Sequence, residues 1–189
     1  TDDHKKGLPV YIKLYDAPPS GGGNLLSIKT LEWEATSIGE DSDSKFVRLT
    51  DKIVTDKYSS GNATYHVEYG YDTSNTNGNL LTVEQYGNGG AENILTTYTY
   101  DNYGSWLWRK TSEIVENASS EVIRETVWDY ETTTGNMEYE DRYKDGLSYA
   151  KTEFLSYDSY GNILTMEDPE DNLTTYTYDM NGIYLASVT

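Results

Sequence analysis

Five times in this chain a Tyr-Asp or Trp-Asp pair stands ahead of a turn that runs into Gly, usually with Asn beside it. The pairs are Tyr71-Asp72, Tyr100-Asp101, Trp128-Asp129, Tyr157-Asp158 and Tyr178-Asp179. Successive pairs lie 29, 28, 29 and 21 residues apart. A supersecondary unit of that size cannot bury a hydrophobic face alone and gains stability by pairing with its neighbours, so the spacing restricts the chain to a repeat architecture.

The unit can be read residue by residue. Thr96-Thr97-Tyr98-Thr99-Tyr100-Asp101 recurs letter for letter as Thr174-Thr175-Tyr176-Thr177-Tyr178-Asp179. Alternating Thr and Tyr has the period of a strand, which places Tyr98 and Tyr100 on one face and Thr97 and Thr99 on the other. Val67 to Asp72 and Glu153 to Asp158 are diverged copies, and Ile163 to Glu167 has the character of the returning strand. In Asp158-Ser159-Tyr160-Gly161-Asn162 the turn chemistry is clearest. Asp ahead of a reversal accepts a bond from an N–H two residues on, while Gly161 and Asn162 tolerate positive φ. The stretches Asp72 to Asn79 and Asp129 to Asn136 are longer versions. The predicted unit is a β-hairpin, and no segment carries apolar residues at helical spacing between start and stop signals.

Ahead of the repeats the pattern is looser, which divides the chain into an irregular β segment, 1–56, and a hairpin array, 57–189. Val10 to Tyr15 alternates, Pro18-Pro19 and Gly21 to Gly23 signal a loop, and Asn24 to Trp33 reads as a strand. Glu40 to Ser44 is expected as an acidic turn before the strand-like Phe46-Val47-Arg48-Leu49.

Leu, Ile, Val and Phe total 35 residues, a share that with this much charge would suggest disorder. The 19 Tyr, 4 Trp and 23 Thr reverse that expectation, since aromatic rings bury large apolar faces and all three types favour strands. A formal charge of -18, with 14 Lys and Arg against 32 Asp and Glu, argues against nucleic acid and anionic membrane surfaces as partners. No apolar run is long enough for a membrane-spanning helix, so membrane insertion is not expected. The absence of cysteine removes disulfides and thiolate chemistry, as suits a surface-exposed bacterial protein. The chain begins at Thr1 without Met and stops just after a turn, and it reads as an excised piece of a longer polypeptide.

The run from Tyr157 to Met166, followed by Asp168-Pro169 and Thr174 to Asp179, resembles the YD repeat of the rearrangement-hotspot (Rhs) family. That family takes in bacterial polymorphic toxins, wall-associated proteins, the B and C components of insecticidal toxin complexes and the animal teneurins. The resemblance covers about residues 57 to 189. Leu31 to Glu34 and Phe46 to Leu49 are similar to the region preceding the repeats in toxin-complex B-type proteins. It implies an all-β array of antiparallel hairpins in a continuous curved sheet, a slice of a larger spiral shell that encloses a toxin or other cargo. It also implies secretion or a bacterial cell-surface location, with the remaining repeats and the cargo as partners. Within the pattern, Asp171 stands where the family often has Gly, Tyr103 to Trp106 lacks the usual Asn, and Gly182 to Leu185 carries one extra residue. The family's self-cleavage carboxylates belong to a motif without a match here, so no catalytic residue is carried over.

The residues suggest no enzyme. Thirty-two carboxylates include close neighbours by number alone, and nothing selects a glycosidase pair. Asp41-Ser42-Asp43 and Glu167 to Asp171 lack the spacing of a calcium loop. His4 and His66 are too few to build a metal centre or a triad. Asn62, Asn117 and Asn172 fit the glycosylation acceptor pattern as an Asn- and Thr-rich chain does by chance. No metal or cofactor is expected. The expectation is therefore a non-catalytic shell element that can self-associate through its sheet edges. The alternative is an adhesive module that binds glycan or protein through exposed aromatics.

Overall fold

The computed structural model describes residues 5–38, 41–72, 78–87, 92–102, 108–145 and 148–189, with only the backbone described at 38, 41–44, 144–145 and 148. Among these residues the elements are thirteen strands and one 3₁₀ turn at Pro19–Gly21. The strands are β1 (Tyr11–Tyr15), β2 (Leu25–Ile38), β3 (Asp41–Tyr58), β4 (Gly61–Tyr71), β5 (Leu80–Gly87), β6 (Ile94–Asp101) and β7 (Arg109–Asn117). They continue as β8 (Val122–Tyr130), β9 (Met137–Asp145), β10 (Ser148–Tyr157), β11 (Ile163–Glu167), β12 (Leu173–Tyr178) and β13 (Leu185–Val188). The protein is all-β and antiparallel, and no α-helix occurs among the described residues. Asp41 to Ser44, expected within a turn, form the start of β3 instead, Asp41 pairing with Ile38 across a register shift from the Ser37–Lys45 pair.

The chain divides into two compact units, Thr1–Thr97 with Val115–Val122, and Tyr98–Ile114 with Ile123–Thr189. In the first, β1 pairs with β2, β2 with β3, β3 with β4, β4 with β5, and β5 with the first half of β6. In the second, β8 pairs with β9, β9 with β10, β10 with β11, β11 with β12, and β12 with β13. Within each run, a strand meets the strand before it and the strand after it. Among the described residues of each unit, strands pack only against their neighbours in the ladder, and no second layer from the same unit covers either face.

Burial follows from that single layer. Among the described residues the buried apolar side chains are Leu31, Val67, Val83 and Val115, and no side chain is fully enclosed. Leu31 and Val67 both pair with Lys52, and Val83, which pairs with Thr96, lies two residues along β5 from Gln85, the partner of Val67, so the four share one face. Tyr98 and Tyr100, and likewise Tyr176 and Tyr178, lie two apart on one strand and therefore on one face. They are half-buried rather than enclosed, because a one-layer sheet offers only lateral neighbours.

Candidate functional site

The recurring structure is a clamp at the end of a strand. β1, β4, β8, β10 and β12 each end on tyrosine, at Tyr15, Tyr71, Tyr130, Tyr157 and Tyr178. At each of these the ladder register shifts, the mark of a bulge. An acidic residue follows, and its N–H donates to the carbonyl of the residue that closes the turn. The bonds are Asp16 to Asn24 (3.1 Å), Asp72 to Asn79 (2.8 Å), Glu131 to Asn136 (2.8 Å), Asp158 to Asn162 (2.9 Å) and Asp179 to Tyr184 (2.9 Å).

The carboxylate then accepts from the turn's own amides. Asp158 Oδ1 takes the N–H groups of Tyr160 (2.8 Å) and Asn162 (2.9 Å), and Oδ2 takes Asn162 Nδ2 (2.9 Å). Asp16 binds Asn24 in the same two-point manner, N–H to Oδ1 (2.7 Å) and Nδ2 to Oδ2 (2.9 Å). Asp168 and Asn172 form a further copy between β11 and β12, at 3.0 Å for both contacts. Hydrogen bonds to the ionised form favour it. Hence the Asn24 amide holds Asp16 below the usual carboxylate range, Asn162 does so for Asp158, and the backbone N–H groups of Asn172 and Tyr184 do so for Asp168 and Asp179. Glu131, bonded to Thr134 and Thr133, is brought down to about 2.

The tyrosine closes the clamp from the other side. Tyr71 donates its hydroxyl to the Leu49 carbonyl (2.9 Å), Tyr130 to that of Lys110 (3.1 Å) and Tyr157 to that of Met137 (2.6 Å). The acceptors lie 22, 20 and 20 residues upstream, one hairpin back. In two cases the residue preceding the acceptor is an arginine over the ring, Arg48 at 5.3 Å from Tyr71 and Arg109 at 5.0 Å from Tyr130. Burial is the leading cause that raises the phenols of Tyr71, Tyr130 and Tyr157 above their ordinary value.

Neighbouring turns also touch. A Cβ on Gly182 would fall 2.5 Å from the Tyr160 ring, one on Gly78 2.7 Å from Phe46, and one on Gly135 3.0 Å from the Arg109 guanidinium. Asn162 Nδ2 reaches across to the Gly182 carbonyl (2.8 Å). The glycines are needed twice over, for positive φ and for the lack of a side chain where the preceding hairpin presses.

The sequence motif maps onto this geometry with one offset. Tyr71-Asp72, Tyr157-Asp158 with Gly161 and Asn162, and Tyr178-Asp179 lie at clamps. Tyr100-Asp101 ends β6, where Asp101 Oδ1 accepts the Asn102 N–H (2.7 Å), and the residues Tyr103 to Trp106 lie outside the described residues. Trp128-Asp129 stands two residues before Tyr130-Glu131, the pair that holds the clamp. Trp128 itself donates Nε1 to Glu140 (2.8 Å) and takes the Lys110 ammonium 4.5 Å from its ring. Tyr15-Asp16 is a clamp that the spacing rule misses, since Pro18, Pro19 and three glycines stretch its loop. The signal that finds it is Tyr, then acid, then Asn closing the turn. At Asp171 the backbone takes φ 63, as at Gly161 with φ 86, so an aspartate occupies a left-handed position that favours Gly. Asn117 and Asn172 use their side-chain amides within turns, Asn117 Nδ2 bonding Glu121 (2.8 Å).

The first unit also carries a row of like charge. Glu32, Asp51, Glu68 and Glu84 stand directly opposite one another on β2, β3, β4 and β5. Burial, then Glu32 and Glu68, raise Asp51 above the usual carboxylate range. Beside the row, His66 stacks on Tyr86 at 4.8 Å, and the Tyr86 hydroxyl, bonded to Glu68, is raised to about 12. Among the described residues no group of His, Asp and Glu is arranged to hold a metal ion.

No helix among the described residues is long and apolar enough to cross a membrane, which says nothing of a β-barrel. No family model matches the chain, and no curated protein matches it. Among solved structures, a porin-like protein from Bacteroides uniformis ATCC 8492 aligns at 13% identity, covering 94% of this chain and 80% of that one, with a TM-score of 0.42.

Proposed function

We propose that the chain is a non-catalytic wall element of the YD-repeat type, part of a larger sheet that encloses a toxin or other cargo in a secreted or surface-exposed bacterial protein. The observation that carries this reading is the tyrosine hydroxyl bonded to a carbonyl one hairpin back, at Tyr71, Tyr130 and Tyr157. Such a bond serves no chemistry within its own hairpin. At these three places it fixes a hairpin to the one before it, the requirement of a sheet extended by repetition. Containment is then a matter of continuity: side-by-side hairpins leave no edge between them for a protease or an invading strand. An adhesive role is the second reading, favoured by Tyr160 and Tyr184, each 71% exposed beside the last turn.

The test is protease treatment of the product of the whole reading frame that contains residues 1–189. The wall reading expects a second segment inside a resistant body, released only on denaturation. Digestion of everything outside the repeats at the rate of free peptide would overturn it.

A further inference from the structure

We propose that a groove on one face of the first unit binds an acidic sugar, a single uronate-type ring whose carboxylate lies between Lys13 and Lys57. The site needs neither cargo nor enclosure, and it stands apart from the wall reading. It holds about 320 Å³ and is lined by Tyr11, Lys13, Ile28, Thr30, Thr55 and Lys57. That is the small end of the ~300–1,000 Å³ usual for ligand pockets, room for one ring rather than a chain.

Register explains why these six meet. Tyr11 pairs with Thr30, Lys13 with Ile28, and Ile28 with Thr55. Lys57 lies two residues beyond Thr55 on β3, so all six side chains rise from the same face of three adjacent strands. The groove opens away from the sheet plane, and a strand added beside β1 would leave it accessible.

The ligand's charge follows from what the lysines lack. Lys110 and Lys151 pair with Glu113 and Glu153, yet neither Lys13 nor Lys57 forms an ion pair among the described residues. Asp56, next to Lys57 in the chain, alternates to the opposite face, where it pairs with Ser27. In a chain of net charge -18, two unpaired ammonium groups on one groove are a local excess of positive charge, and they fit an anion. That anion carries a single charge. Glu32 and Asp51 stand on the same face, one step along the strands from Thr30 and Ile53, and repel a polyanion. The rest of the lining suits a sugar ring better than a bare ion. Tyr11, 64% exposed, has a ring face open to the C–H face of a pyranose, Ile28 supplies an apolar floor, and Thr30 and Thr55 bring hydroxyls.

The experiment is an amide NMR titration of the full chain with methyl β-glucuronide, and separately with methyl β-glucoside and with acetate. The glucuronide should shift the amides of Lys13, Ile28 and Thr55 saturably, and added salt should weaken it. The glucoside keeps the ring without the carboxylate, and acetate keeps the carboxylate without the ring. Each should bind at least about tenfold more weakly. Lys13→Gln and Lys57→Gln should each cost about tenfold in glucuronide affinity, and Lys57→Arg should retain most of it. Lys29→Gln removes the same charge from the opposite face and should change nothing. Tyr11→Ala should weaken the glucuronide and leave acetate unaffected. Circular dichroism establishes that the variants fold. Equal affinity for the glucoside would mean that charge plays no part, and equal affinity for acetate would mean a counter-ion site only. Either result would overturn the proposal, as would the absence of saturable shifts on β1 to β3.

Discussion

A tyrosine whose ring packs laterally and whose hydroxyl finds a carbonyl twenty residues back acts as packing group and tether together. Tyr157→Phe keeps the ring and removes only the tether, so denaturant unfolding should report a loss of about 0.5–1.5 kcal/mol, the net value of one hydrogen bond. Carboxylates divide into two kinds. Asp16, Asp158, Asp168, Asp179 and Glu131 have folded pKa values below their ordinary ones. The stability they contribute is complete above the ordinary carboxylate range and drains away as pH falls through the folded values. Asp51 has the opposite sign: raised in the fold, its charge opposes folding at neutral pH, and protonation relieves it. Asp51→Asn should therefore raise the melting temperature at neutral pH, and the gain should shrink as pH drops through the folded value. A melting series of both chains from neutral pH to about 2 checks both signs.

At the scale of the element, the turn is decided by one left-handed position. Gly161 has φ 86, and a Cβ there would meet nothing nearer than Asn136 Oδ1 at 3.6 Å. Gly161→Ala should thus show backbone strain alone, about 1–2 kcal/mol in thermal or denaturant unfolding. Asp171, at φ 63, already bears a milder version of that strain. Asp171→Gly should be neutral to stabilising, by up to about 1 kcal/mol. These turns also show how far the sequence can be read. Asp158 to Asn162 is legible because Asp, Gly and Asn sit at fixed offsets. Tyr15-Asp16 is not, because its closing Asn lies eight residues on, past an insertion. Trp128-Asp129 fits the spacing as the third pair, yet Tyr130-Glu131 makes the clamp, since one extra methylene lets Glu reach the Thr133 and Thr134 amides. A rule on Tyr-Asp spacing cannot anticipate either substitution. The tether is invisible for another reason: nothing in the letters around Tyr157 names a carbonyl at Met137.

Over the whole molecule, the all-β architecture is legible in the Thr and Tyr alternation, because period two survives divergence better than any single residue. The strand through Asp41 to Ser44 is not. The polar run Glu40 to Ser44 reads as a turn, and nothing in its letters announces the pairing of Asp41 with Ile38 across an irregular register. The single layer within each unit is equally hidden, since a tyrosine half-buried by lateral neighbours and one covered from above occupy the same sequence pattern. The central claim is that each clamp is built on a turn capped by its own carboxylate, which holds the strand-end tyrosine where it can tie to the preceding hairpin. Amide hydrogen exchange followed by NMR tests it most directly, at the N–H groups of Asn24, Thr134, Asn162 and Asn172. All four sit in exposed or half-exposed turns, and each donates to the carboxylate that caps its own turn. They should exchange as slowly as the flanking strand amides and lose that protection once the carboxylates are protonated. Exchange at the rate of an unstructured loop at neutral pH would contradict the account.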